Sequence, residues 1–161
     1  MDSRGSILLI DDDRAWLDTL AEYLQDKGYP VEKAHGGVHG LKLLDRLDVS
    51  VAVIDFKMPD MNGIELLRQM RCKRSNLGVL LLSSEDDPAL PTLALAEGAK
   101  AFLSKNAPPR QLLHLLNETL AIYGYGDVRP SLDRLLPVVR PNRRTLPVPI
   151  VFYRRSPLLG S

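Results

Sequence analysis

The chain has few of the features that mark secreted, disulfide-stabilised or membrane proteins. Its single cysteine, Cys72, has no intrachain partner, and a lone thiol fits a reducing compartment. No apolar stretch approaches the roughly 18 to 20 residues needed to span a bilayer. Residues 1–6 lack the basic, apolar and small-residue pattern of a signal peptide. We therefore expect a cytoplasmic protein without membrane insertion.

The net charge is close to zero, at +1, but it is unevenly distributed along the chain. Residues 1–123 contain 14 Lys and Arg against 18 Asp and Glu, whereas residues 124–161 contain seven Arg against two Asp and six of the 12 prolines. A chain of 161 residues can form one α/β domain with an extension, but not two full-sized domains. We predict a domain over residues 5–123 and an Arg/Pro-rich extension over residues 124–161.

Short apolar runs alternate with segments of helical periodicity in the first 123 residues. The runs are continuously hydrophobic, which is typical of parallel strands that are covered on both faces. The sequence predicts five strands and five helices, and Pro91 is expected to delay or distort the start of the fourth helix. The strands are predicted at residues 7–10, 31–34, 51–56, 78–82 and 101–104, and the helices near residues 15–27, 38–47, 64–71, 88–97 and 108–123. The pattern therefore indicates a parallel sheet with helices on both faces.

Acidic residues cluster at the ends of two of these strands. Asp11, Asp12 and Asp13 directly follow the first apolar run, and Asp55 follows the run at residues 51–54. If the two strands are neighbours, their carboxylates share one crevice and repel each other unless a cation lies among them. Oxygen ligands with no Cys or His nearby suit Mg²⁺. We interpret Asp11, Asp12 and Asp55 as a metal site, Asp55 also as a nucleophile for phosphate, and Asp13 as a helix cap or a solvated acid.

Two more polar side chains follow the fourth and fifth strands. Lys105 comes after residues 101–104, where its ammonium can pair with Asp55 or with a phosphoryl oxygen. Ser83 comes after the fourth run, where its hydroxyl can donate to a phosphoryl oxygen, and Ser84 is the adjacent alternative. Polar groups at several neighbouring strand ends strengthen the case for a site that handles phosphate.

These motifs resemble the receiver domain of bacterial two-component response regulators over about residues 5–122. The 22-residue step from Ser83 to Lys105 favours Ser83 over Ser84 as the hydroxyl of that family. The resemblance implies a flavodoxin-like, doubly wound sheet of strand order 2-1-3-4-5. The matching segments are Ile10-Asp11-Asp12-Asp13, Ile54-Asp55-Phe56-Lys57-Met58-Pro59-Asp60-Met61-Asn62-Gly63, Leu82-Ser83-Ser84-Glu85, Ala96-Glu97-Gly98-Ala99 and Phe102-Leu103-Ser104-Lys105.

The resemblance also implies how a metal would be held. Mg²⁺, which Mn²⁺ can replace, would bind Asp12, Asp55 and the backbone carbonyl of Lys57, while Asp11 would act largely through water. Asn106 stands where the family usually has proline after the lysine. This departure does not remove any of the site residues.

The implied function is signalling by phosphoryl transfer. Asp55 would accept a phosphoryl group from a sensor histidine kinase or a histidine phosphotransfer protein. Ser83 and Phe102 would then switch the surface formed by helix 4, strand 5 and helix 5. That surface would bind an output protein or form a phosphorylation-dependent homodimer. Such a chain is not an enzyme acting on other substrates, because it catalyses only its own phosphorylation and dephosphorylation.

Two alternatives belong to other classes of protein. The first is a pseudo-receiver that is never phosphorylated and acts as an interaction module; it should lack one of the acids or the lysine, and none is missing. The second is a phosphatase of the haloacid dehalogenase type. That class needs a second Asp two residues after its nucleophile, where this chain has Lys57.

The extension is too short for the usual winged-helix or helix-turn-helix output domain, so we do not expect DNA binding. Residues 148–153 have a strand-like composition, although Pro149 limits such a strand to a sheet edge. Three interpretations stay open: a mostly disordered segment, a segment that docks on the acidic body, and a contact with a partner or nucleic acid through the Arg pairs at 143–144 and 154–155.

Overall fold

Strands and helices alternate in the order that the sequence predicts. The structure is a computed structural model that describes residues 6–123 and 151–152. Its strands are β1 (Ser6–Ile10), β2 (Val31–Ala34), β3 (Val49–Asp55), β4 (Gly78–Ser83), β5 (Ala101–Ser104) and β6 (Val151–Phe152). Its helices are α1 (Arg14–Asp26), α2 (Gly37–Arg46), α3 (Gly63–Lys73), α4 (Leu90–Ala96) and α5 (Pro109–Tyr123). Among the residues described, none of these helices is long and apolar enough to cross a bilayer.

The strands form one parallel sheet in the order β2-β1-β3-β4-β5-β6. The first five strands confirm the predicted order 2-1-3-4-5. The chain runs from β1 outward to β2 and then returns to β3 on the other side of β1, so the direction of winding reverses between β1 and β3. Ligands of such sheets bind outside the carboxyl ends of the strands at this reversal. Asp11 and Asp55 lie at those two strand ends.

Helices cover both faces of the sheet because alternate strand residues point to opposite sides. Helices α1 and α5 pack on one face and α2, α3 and α4 on the other. Every residue of β3 and β4 is buried, which explains their uninterrupted apolar runs. The face under α1 and α5 includes Leu17, Leu24, Leu112 and Leu116, and the opposite face includes Leu44, Leu67, Met70 and Phe102.

Helix α4 begins at Leu90, later than the predicted residue 88, and Pro91 lies in its first turn. Proline is tolerated there because its missing N–H belongs to the first turn, whose N–H groups have no partner within the helix. The expected delay is therefore confirmed. Gly98 ends the segment with a φ of 101°, a left-handed conformation that glycine adopts without strain.

The sheet has a sixth strand that the five-strand prediction did not include. Strand β6 pairs in parallel with the edge strand β5, with Val151 opposite Phe102 and Phe152 opposite Leu103. It lies within the segment 148–153, whose composition predicts an edge strand. The other predictions on the extension fall on residues 124–150 and 153–161, which lie outside the described residues. The domain boundary after residue 123 stays a prediction.

Candidate functional site

Polar side chains from four adjacent strands meet at one edge of the sheet. The register pairs Ile10 with Ile54, Asp55 with Leu82 and Ser83 with Ser104, so the carboxyl ends of β1, β3, β4 and β5 lie within about one residue of each other. These strand ends and the turns after them carry the residues that the sequence predicts for the site. They are Asp11 and Asp12 after β1, Asp55 at the end of β3, Ser83 at the end of β4 and Lys105 after β5.

Three carboxylates form the acidic centre of this edge. One oxygen from each of Asp11, Asp12 and Asp55 lies within 4.8 Å of the others. Asp11 and Asp55 are buried, whereas Asp12 is exposed. Buried like charges at this separation favour a bound cation or proton. A set of carboxylate oxygens open to solvent on one side fits a hard divalent cation such as Mg²⁺, which keeps several of its waters.

Lys105 offsets part of this negative charge. Its Nζ atom lies 2.5 Å from Oδ2 of Asp11 and 3.1 Å from Oδ1 of Asp55. The pairing with Asp55 agrees with the sequence analysis. The closer contact with Asp11 was not predicted, because position at a strand end does not say which of two neighbouring carboxylates an ammonium will meet. Lys105 therefore links the acids of β1 and β3.

The environment raises the pKa of both Asp55 and Lys105. Burial and the nearby Asp11 carboxylate raise the pKa of Asp55 to about 6, although Lys105 acts in the opposite direction. Burial alone would lower the pKa of Lys105, but its bonds and charge interactions with Asp11 and Asp55 outweigh burial and raise it. At neutral pH the site thus holds an ionised Asp55 and a firmly protonated ammonium beside it.

Ser83 and Phe102 lie on the two strands next to this centre. Ser83 is buried, and its Oγ accepts a hydrogen bond of 2.9 Å from the backbone N–H of Glu85. Its hydroxyl proton remains available to an acceptor at the strand end. Phe102 is buried in the core on the face covered by α2, α3 and α4. Its position agrees with an inward aromatic side chain, and its role as a switch stays a prediction.

The turn after Asp55 is held close to the end of β3. The N–H of Gly63 donates to the carbonyl of Phe56 at 2.7 Å, and a Cβ at Gly63 would lie 2.6 Å from the carbonyl oxygen of Asp55. Only glycine fits this approach of backbone to backbone. The turn carries Lys57, whose carbonyl is the expected third ligand of the metal. That assignment stays a prediction.

Two charged side chains flank the opening of the site. Lys57 follows Asp55 by two residues and Glu85 follows Ser83 by two, and Lys57 Nζ lies 3.1 Å from Glu85 Oε1. The lysine side chain is 78% exposed, so the pair lies at the surface. The pair therefore bridges the turns after β3 and β4.

Two neighbours of the acidic cluster have structural contacts that bear on the site. Asp13 caps helix α1, accepting a hydrogen bond from the N–H of Trp16, which confirms its interpretation as a helix cap. The ring of Trp16 lies under Lys105 Nζ, 4.5 Å from its centroid.

Sequence reasoning missed a contact of the Asp60 carboxylate with the backbone N–H groups of Gly37 and Val38 at the start of α2, because the two segments are far apart in the chain.

The matches to known proteins agree with this geometry. The family model of the response regulator receiver domain matches residues 7–117. The chain therefore belongs to the response regulator receiver domain family.

Curated response regulators and solved receiver-domain structures are similar to this chain. Response regulator MprA of Mycobacterium ulcerans (strain Agy99) is 36% identical over 107 residues, which cover 66% of this chain and 46% of that protein. The chain thus spans about half the length of the curated relatives that it matches. Among solved structures, a CheY-like response regulator receiver domain protein from Methanospirillum hungatei JF-1 is 32% identical, with a TM-score of 0.69 over 73% of this chain and 94% of that one.

One further similar structure contains a phosphorylated aspartic acid. It is a response regulator protein from Burkholderia pseudomallei with a phosphorylated aspartic acid, a calcium ion and citrate. It is 26% identical to this chain, with a TM-score of 0.65, and the match covers 73% of this chain and 71% of that one.

Proposed function

We propose that this protein accepts a phosphoryl group on Asp55 in a Mg²⁺-dependent reaction and signals through the resulting change of its surface. The donor is the phosphohistidine of a sensor histidine kinase or of a histidine phosphotransfer protein. The observation that carries the proposal is that Asp55 lies beside both the carboxylates of Asp11 and Asp12 and the ammonium of Lys105. Membership of the receiver family and the phosphorylated aspartic acid of the Burkholderia pseudomallei relative support it.

The chemistry requires an ionised Asp55 and compensation for charge on the phosphoryl oxygens. A carboxylate oxygen of Asp55 attacks phosphorus in line, an O–P bond forms, and the N–P bond to the donor histidine breaks with its electron pair left on the imidazole. Mg²⁺, when bound, would neutralise negative charge on the phosphoryl oxygens and on the carboxylates around them. Asp11, Asp12 and Asp55, with the carbonyl of Lys57, would hold it.

Lys105 and Ser83 would act on the transferred group. The ammonium of Lys105 can leave Oδ1 of Asp55 and pair with a phosphoryl oxygen, keeping its bond to Asp11. The hydroxyl of Ser83 can donate to a second phosphoryl oxygen from the end of β4. A shift of Ser83 and Phe102 would change the surface of α4, β5 and α5, which would bind the output protein or a second copy of the chain.

The experiment that tests the proposal is phosphorylation by a small-molecule donor. Incubation with acetyl phosphate and Mg²⁺ should add one phosphoryl group per chain, detected as intact mass. Asp55→Asn should abolish the addition, and EDTA should abolish it in the unaltered protein. Asp13→Asn is the matched control, because Asp13 belongs to the same acidic run but caps α1, and it should be labelled normally. Full labelling of Asp55→Asn at another residue would refute the assignment.

A further inference from the structure

The carboxylate of Asp60, in the turn between β3 and α3, lies against the first residues of helix α2. Its Oδ2 accepts a hydrogen bond of 2.9 Å from the N–H of Val38, and its Oδ1 accepts one of 3.2 Å from the N–H of Gly37. Oδ1 also accepts from the N–H of Met61, at 3.1 Å. Asp60 therefore connects its own turn to a helix that begins 23 residues earlier in the sequence.

Helix α2 has no cap of its own at this end. The N-cap residue is Gly36, which has no side chain that could accept a hydrogen bond from the first turn. The first N–H groups of a helix lack partners within the helix, and the positive end of its dipole favours a negative charge. Asp60 supplies both the acceptors and the charge from another loop. The helix and the turn thus hold each other in place.

The adjacent glycines Gly36 and Gly37 make this approach possible. A Cβ at Gly36 would lie 3.1 Å from Oδ2 of Asp60, and a Cβ at Gly37 would lie 2.5 Å from Cγ of Met61. The second distance is shorter than real Cβ atoms show, so a side chain at residue 37 would push Met61 away. The Gly-Gly pair has no phosphate-loop spacing, and its role is to let the two segments meet.

The turn of residues 57–62 is anchored on either side of Asp60 as well. At its base, Gly63 donates to the carbonyl of Phe56, and within it the side chain of Met58 is buried in the core. Asn62 caps helix α3 by accepting from the N–H of Glu65 at 2.9 Å. Asp60 holds the outer part of the turn against the start of α2, while Lys57, at the start of the turn, also pairs with Glu85.

We propose that Asp60 is a positioning residue for phosphoryl transfer, because its contact with the start of α2 sets where the turn of residues 57–62 presents the Lys57 carbonyl to the metal. The proposal rests on the proposed function, in which that carbonyl is a metal ligand. Asp60 is not one of the three carboxylates of the acidic cluster, so it would act through the turn and not as a ligand. The pKa of its carboxyl agrees with the contact: burial would raise it, but hydrogen bonds from backbone N–H groups outweigh burial and lower it.

The test compares the Mg²⁺ affinity of the full chain with that of Asp60→Ala. Titration is followed by the emission of Trp16, and Mn²⁺ binding is followed by water-proton relaxation as an independent readout. The expected result is an increase of about tenfold in the dissociation constant, the lower end of what losing a residue that orients a metal ligand costs. Asp60→Asn, which keeps one acceptor oxygen, should fall between the wild type and Asp60→Ala.

A matched control separates the positioning role of Asp60 from the mere loss of a negative charge or of a contact at a helix end. Asp87 is also exposed and accepts a hydrogen bond of 2.9 Å from the N–H of Ala89, just before α4. Asp87→Ala removes one negative charge and one such bond and should leave the Mg²⁺ affinity within about twofold of wild type. If Asp60→Ala does not fold, Gly37→Ala displaces the same turn through Met61 and should weaken Mg²⁺ binding in the same direction.

The outcomes separate the positioning role from the proposed function. If Asp60→Ala lowers the melting temperature but binds Mg²⁺ as tightly as wild type and is labelled at the same rate, Asp60 is a structural cap and the inference is wrong. If the wild-type protein neither binds Mg²⁺ nor is labelled, the proposed function itself fails, and the positioning role fails with it.

Discussion

The ammonium of Lys105 lies over the ring of Trp16, with 4.5 Å between Nζ and the ring centroid. This contact joins the loop after β5 to the first turn of α1, which follows the acidic run. A cation held against an indole ring perturbs the electronic environment of that ring. Movement of Lys105 among its partners should therefore be visible in the emission of Trp16, the only tryptophan of the chain.

The first prediction is that Mg²⁺ changes the emission of Trp16 with saturable dependence on concentration. A cation among Asp11, Asp12 and Asp55 competes with Lys105 for the carboxylates and so alters its distance from the ring. Asp12→Ala should remove the saturable change, because it removes one of the three carboxylates of the cluster. Asp12 is the exposed member of the cluster, so its loss should leave the core intact. NaCl at equal ionic strength is the control for screening. An unchanged titration in Asp12→Ala would show that the ion binds elsewhere.

The second prediction is that Lys105→Met destabilises the metal-free protein by about 3 kcal/mol, because it leaves two buried carboxylates without their ammonium. The side chain of Lys105 is 14% exposed and that of Asp11 is 1% exposed. Urea unfolding in EDTA gives the measurement, and Mg²⁺ should recover part of the loss. Labelling by acetyl phosphate should also slow.

A second ion pair provides the comparison for this measurement. Lys33 and Asp18 are 2.5 Å apart, but both side chains are largely exposed. Lys33→Met should cost much less than Lys105→Met, because surface pairs are screened by solvent. Equal losses in Lys33→Met and Lys105→Met would contradict a special electrostatic role for Lys105.

The third prediction concerns pH and follows from the raised pKa of Asp55. The pKa is about 6 in the folded protein, against about 3.9 for an unperturbed Asp, so the folded state binds the proton more tightly. The contribution of Asp55 to stability should therefore fall as the pH rises from about 4 to about 6, because in this range the carboxyl is ionised in the unfolded chain but still protonated in the folded protein. Above that range the penalty is constant, at most about 3 kcal/mol.

Asp55→Asn tests this sign because it stays neutral at every pH. In EDTA its melting temperature should exceed that of wild type above about pH 6, and the difference should vanish near pH 4. Mg²⁺ should reduce the difference, because it binds the folded wild type and stabilises it. A difference that is constant from pH 4 to pH 8 would mean that the substitution acts through packing instead of charge.

Much of the fold and of the site could be predicted because both follow from local patterns. Continuous apolar runs such as that of β3 specify buried parallel strands, and a sheet of such strands brings its carboxyl ends together. Asp11, Asp55, Ser83 and Lys105 could thus be assigned to one edge from the chain alone. The family model and the observed strand order confirm the class of protein and its fold.

The parts that could not be predicted depend on side chains from segments distant in sequence. The contact of Lys105 with Asp11, its position over Trp16 and the capping of α2 by Asp60 are set by how loops pack, and loops carry no periodic signal. Strand β6 is a similar case: its composition indicates a strand, but not that it pairs in parallel with β5. The Gly36-Gly37 pair is visible in the sequence beside the α2 contact, but it does not indicate that Asp60 approaches it.

The last prediction concerns the lifetime of the phosphorylated protein and depends on Lys57 and Glu85. Their 3.1 Å contact crosses the opening between the turns after β3 and β4. An ion pair as exposed as this one contributes only about 0 to 1 kcal/mol to stability, so any larger effect on hydrolysis must come from its position. Because the pair joins the turns that follow Asp55 and Ser83, we predict that it obstructs the in-line approach of water to phosphorus. We therefore expect a phosphoryl-aspartate that is long-lived for this family.

The loss of phosphate is measured in excess Mg²⁺ for wild type, Lys57→Ala, Glu85→Ala and the double variant. Each single substitution should quicken hydrolysis, and the double variant should match the singles, since two residues that act as one barrier are not additive. Lys73→Ala is the control, because it breaks another exposed pair, with Asp45, whose 2.8 Å contact joins α2 and α3. Its rate should equal that of wild type. If both single variants lose phosphate at the wild-type rate or more slowly, the pair does not shield the site, and the loops alone control the access of water.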